Sequence, residues 1–137
     1  MLHFSRAELA SAFESLRQDF AAGAASTDPA RRGPILLGIY AIECGLKLLL
    51  LQRRGVHNTS VLAEDDALFT HDLNRLLAEV GQPAAFRQGR ALGSRTSVPA
   101  AQLHQLYRYG GRLERDHERG ILAKVAEIVA FIRENQL

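Results

Sequence analysis

Leu9, Phe13, Leu16 and Phe20 recur at spacings of four, three and four, which places them on one face of a helix. Ser5 stands before that run and Glu8 three residues later, the pattern of a capping box, with Phe4 and Leu9 placed as a hydrophobic staple. The helix fades near Gly23. Residues 24–34 read as a turn, with Asp28-Pro29 as a cap and first-turn proline, or with the next helix beginning near Pro34. The stretch PILLGIYAIECGLKLLLL (34–51) is apolar around almost its whole circumference, so it is expected to be the most buried helix. Arg53 and Arg54 fall in its last turn and Gly55 stops it. Glu43 and Lys47 are its polar exceptions, four apart on one face. They mark either a functional face or a solvated seam between neighbouring helices.

A polar connection follows over 56–69. The segment 70–80 then reads as a short helix, with Leu73, Leu76, Leu77 and Val80 on one face, Asp72 in its first turn and Gly81 at its end. Residues 81–98 carry no period and read as a long loop with a helical turn at 83–88. The loop's Arg87, Arg90 and Arg95 suit either phosphate or solvent. Another helix is expected over 97–111, capped by Ser97 with Pro99 in its first turn. The last helix carries Ile121, Val125, Ile128, Val129 and Ile132 on one face. No repeat or boundary divides residues 1–137. The expectation is a single all-α domain, an antiparallel bundle of four to five helices.

Composition changes this picture little. Hydrophobic residues make up 47% and charged residues 23%, Trp is absent, and four Pro are present, a balance that favours a globular helical chain. A net charge of +2 sets up no global basic field. The bases are nevertheless 15 Arg against 2 Lys. That bias suits an RNA or nucleotide partner, and equally a GC-rich coding preference. Cys44 is the single cysteine, which rules out an intramolecular disulfide and fits a reducing, cytoplasmic setting. The N-terminal stretch lacks a signal layout. The apolar run is marginal for a bilayer and fits a core helix better, so no membrane partner is expected. No metal-ligand spacing, phosphate loop or nucleophile elbow is present, and no metal or cofactor is expected.

The stretch YRYGGRLERDH (107–117) carries the chemistry most worth weighing. RNA cleavage without metal needs a base for the 2′-OH, an acid for the leaving 5′-oxygen and a cation for the phosphorane. Histidine suits the first two roles and arginine the third. Arg112 and His117 supply both residue types. On one straight helix they point nearly opposite ways. They share a phosphate only if Gly110-Gly111 break the helix or if two subunits meet. The competing reading is a charged helix surface, with Arg115–Glu118 or Glu114–Arg119 pairs. His104 and Arg108 share the preceding helix and line the same cleft on the first reading. Tyr107 and Tyr109 are placed to stack on a base, although packing against the central helix is the more frequent fate of such residues. His71 reads as a helix-start packing residue more readily than as an acid–base, and His3 and His57 as surface positions.

Four pieces in this order resemble the HEPN domain family, the higher eukaryotes and prokaryotes nucleotide-binding domain. They are YAIECGLKLLLLQRRG, FTHDLNRLLAEVG, LYRYGGRLERDHE and AKVAEIVAFIREN, which together span roughly residues 35–135. The resemblance implies a four-helix bundle that often forms a homodimer. It also implies a metal-independent endoribonuclease of the toxin–antitoxin or phage-defence kind, with a cognate antitoxin or nucleotidyltransferase as partner. Non-catalytic members hold a nucleotide or a partner instead. Carried onto this chain, the family's Arg-x4-His motif is Arg112 and His117 at a dimer cleft. Glu43, Lys47, His104, Arg108 and Tyr109 are then the expected substrate-binding residues. Leu113 stands where active members commonly carry a polar residue.

Overall fold

The computed structural model describes residues 2–24 and 33–136; the expected Asp28-Pro29 cap lies outside them. The described residues are mostly helical, with five α-helices among them: α1 (Arg6–Ala24), α2 (Gly33–Arg54), α3 (Leu73–Glu79), α4 (Leu103–Arg108) and α5 (Arg115–Asn135). The capping box forms as expected. The amide of Glu8 donates to Ser5 Oγ at 3.1 Å, and the amide of Ser5 donates to Glu8 Oε1 at 3.3 Å. Leu9, Phe13 and Phe20 are buried on the face that α1 turns to α2.

Helix α2 is the central element and contacts each of the other four helices. Eleven of its residues are buried, so its length and apolarity, which would also suit a membrane span, are used inside the bundle. Its two internal glycines let neighbours close in. A Cβ at Gly45 would lie 2.6 Å from Ile132 Cδ1 and 2.8 Å from Phe13 Cδ1; one at Gly38 would lie 2.7 Å from Phe20 Cδ1 and 2.8 Å from Val125 Cγ1. The helix ends as the sequence indicates. Gly55 adopts φ +68°, and Val56 N–H reaches back to Leu51 C=O at 2.9 Å, which satisfies a terminal carbonyl.

Three elements differ from the sequence reading. Asp72 is not in the first turn of α3; it is the N-cap, and its carboxylate accepts from the amides of Asn74 and Arg75. No helical turn forms at 83–88. The side chain of Asn74 holds that segment instead: its amide donates to Phe86 C=O at 2.8 Å, and its carbonyl accepts from Ala85 and Phe86 N–H at 3.1 Å each. Phe86 is thereby pinned in the core. Residues 89–98 form a small antiparallel ladder, β1 (Gly89–Arg90) with β2 (Ser97–Val98), in the register Gly89 to Val98 and Arg90 to Ser97. Ser97 is therefore a strand residue, and α4 starts only at Leu103 after a 3₁₀ turn. Short pairing of this kind has no period long enough to read from sequence.

Candidate functional site

Gly110-Gly111 do break the helix. Gly110 sits at φ +80°, a left-handed conformation that favours glycine, and α4 ends at Arg108, seven residues before α5 begins. Arg112 lies in this connection. Its Nη2 donates to Glu118 Oε1 at 2.9 Å. The same carboxylate accepts Tyr107 O–H at 2.8 Å and Leu113 N–H at 3.3 Å through Oε2. Glu118 is only 5% exposed, so three donors compensate its buried charge. Burial, followed by the bond to Glu118, pushes the Tyr107 hydroxyl far above its ordinary range. The expected Arg115–Glu118 pair on a solvated helix face does not form, because Glu118 turns inward to the α4–α5 connection.

His117 takes the other direction. Its ring packs on Gly89, where a Cβ would lie 2.9 Å from Nε2, and Nε2 is buried without a hydrogen-bond partner. It lines a pocket of about 270 Å³ with Phe86, Arg87, Asp116, Gly120 and Lys124. Within one chain, Arg112 and His117 therefore serve different surroundings, and no hydrogen bond joins them. Adjacent positions on a helix point about 100° apart, which is why Glu118 and His117 part ways.

The other expected residues do gather. Glu43 and Lys47 of α2 form an ion pair at 3.5 Å, with side chains only 12% and 14% exposed. The seam they occupy is thus more buried than solvated. Glu43 Oε1 also meets His71 Nδ1 at 2.9 Å. A carboxylate only accepts, so the proton of that bond resides on Nδ1. His71 is more than a packing residue: its ring lies against that of His104, centroids 4.8 Å apart and tilted 38°. Burial, then the neighbouring His71, lowers the proton affinity of His104, with Glu43 acting in the opposite sense. Nδ1 of His104 is buried without a partner. Among the described residues no group of three His, Cys, Asp or Glu is gathered to hold a metal.

One helical turn beyond His104, Arg108 lies 5.9 Å from the ring centre of Tyr109. Tyr109 is 81% exposed, so it does not pack on the central helix. The β1–β2 ladder is tied to the same connection by the Ala91–Leu113 bridge and by Leu92 N–H to Arg112 C=O at 2.7 Å. The exposed side chains of Arg90 and Arg95 are thereby carried to this end of the bundle. A signal for this face was present in the sequence as a charge count. Residues 81–113 hold five Arg and no Lys, Asp or Glu, so against a chain total of +2 the remainder carries −3. A net charge taken over the whole chain hides that asymmetry.

No known protein family, no curated protein and no solved structure matches this chain.

Proposed function

We propose that this chain is a HEPN-like helical bundle that binds single-stranded RNA on the face formed by Arg90, Arg95, Arg108 and Tyr109. The observation that carries the reading is an exposed aromatic ring beside Arg108, on a stretch of 33 residues with five arginines and without a single carboxylate. Exposed aromatic rings stack on unpaired bases, and arginine forks hold the phosphates between them. Arg112 supports the face from behind: held by Glu118, it fixes the α4–α5 connection on which Tyr109 stands. Titration of labelled single-stranded RNA with the wild type and with Tyr109→Ala tests the reading. A loss of affinity in the variant supports it, and unaltered binding removes Tyr109 from the site.

A further inference from the structure

A cavity of about 370 Å³ lies between the N-terminal segment, α2 and the connection that leads into α3. It shares no lining residue with the arginine face. We infer that this cavity binds a small carboxylic acid with an apolar body, the class that octanoate represents. The acid group sits on Lys47 and the body on Leu2, Phe4 and Phe69.

Three features carry it. First, the wall is apolar. Leu2, Phe4, Leu9, Leu68 and Phe69 line the cavity, and the first two are exposed. Phe4, placed by the sequence as a staple against Leu9, thus keeps ring surface open to a guest. Covering that surface removes apolar area from water, the general drive for entry into a concave site of this size.

Second, the polar lining is gathered on one side and is cationic. Glu43 meets Lys47 Nζ through Oε2 at 3.5 Å and His71 Nδ1 through Oε1 at 2.9 Å, so Lys47 and His71 stand together. Lys47 lines the cavity and Glu43 does not. An ammonium carries three donors, and Glu43 engages it through one long contact, so a guest carboxylate shares Lys47 with Glu43. No arginine lines the cavity. A lone lysine is a point charge rather than a fork, and it matches a singly charged carboxylate better than a phosphate. The remaining polar lining residue, Thr59, is buried, and its hydroxyl already accepts from Phe4 N–H at 2.9 Å.

Third, the walls are held in place without a guest. Arg6 N–H donates to His57 C=O at 2.9 Å, and Thr59 N–H donates to Phe4 C=O at 3.0 Å. These bonds stitch the N-terminal segment to the connection. The His3 ring stands nearly perpendicular to that of Phe69, with centroids 6.1 Å apart. A wall fixed beforehand costs little ordering on binding.

The test titrates the full chain with sodium octanoate and, separately, with octylammonium chloride, which keeps the tail and reverses the charge. Calorimetry reads the affinity, and amide NMR shifts locate the guest. Octanoate is expected to saturate one-to-one, with shifts centred on residues 2–4, Lys47, Leu68 and Phe69 and none at Tyr109. It should bind at least about tenfold tighter than octylammonium, the scale of one hydrogen bond to a charged group. Lys47→Met keeps the apolar stem and should abolish that preference, with a thermal melt showing that the variant is folded. Failure of octanoate to saturate by about 5 mM, the weak end for a ligand of this size, overturns the inference. Equal affinity of the wild type for the two guests overturns it without recourse to any variant, and so do shifts centred away from the cavity. Octanoate binding that a folded Lys47→Met leaves unchanged overturns the placing of the acid group on Lys47.

Discussion

Arg112 donates to Glu118 at 2.9 Å, and this ion pair ties the α4–α5 connection to the first turn of α5. Replacing Glu118 by Ala leaves the Tyr107 hydroxyl, the Leu113 amide and the Arg112 guanidinium short of an acceptor in a buried setting. The expected cost is about 3 kcal/mol, read as a lower melting temperature. Tyr107→Phe removes a single bond and should cost about 1 kcal/mol.

The close approach of α1, α2 and α5 gives a second outcome. Gly45→Ala sets a methyl group against Phe13 and Ile132. Overpacking of this kind costs roughly 1–3 kcal/mol, and chemical denaturation measures it. At Gly120, on the exposed side of α5, a Cβ meets nothing within 4 Å. Gly120→Ala should instead stabilise the helix by up to about 1 kcal/mol.

The burial of His104 beside His71 makes stability depend on pH in a definite direction. The folded state lowers the proton affinity of His104 below its ordinary value, so protonation favours the unfolded chain. That contribution to stability is fully present above the ordinary histidine range. It is lost progressively as pH falls from about 6.5 toward the lowered folded value. Thermal melts between pH 8 and pH 5 should show the wild type losing more stability than His104→Gln. Parallel curves would remove His104 as the cause.

Stacking on Tyr109 predicts a selective effect. Tyr109→Ala should weaken RNA binding by about 1–3 kcal/mol, while Tyr109→Phe, which keeps the ring, retains it. Neither should alter the melting temperature, since the side chain is exposed. Anisotropy of labelled RNA beside a thermal melt separates the two effects.

How far the sequence carries is instructive at particular residues. Ser5, Glu8, Leu9, Gly55 and Gly81 signal local structure, and local structure is what a short pattern encodes. Glu43 and Lys47 stand out because charge on an apolar helix is costly without a partner. Their third partner, His71, is 28 residues away, and no spacing rule reaches that far. Arg112 was legible as a cation and Gly110-Gly111 as a break. The direction in which Arg112 then turns depends on the angle of the connection, so its partner Glu118 appears only in the fold. The β1–β2 ladder was illegible for another reason: two residues per strand hold no period. The arginine face lay in between, visible as a local absence of acids and hidden by the whole-chain charge.

The most direct measurement is the affinity of the wild-type chain for single-stranded RNA over a salt series. Arg90, Arg95, Arg108 and the phosphates they meet predict a logarithmic slope of about −2, from roughly 0.7 per phosphate contact on a single strand, and Arg95→Ala should lower its magnitude by about 0.7. Binding that ignores salt, or a slope that Arg90→Ala, Arg95→Ala and Arg108→Ala leave unchanged, would contradict the account.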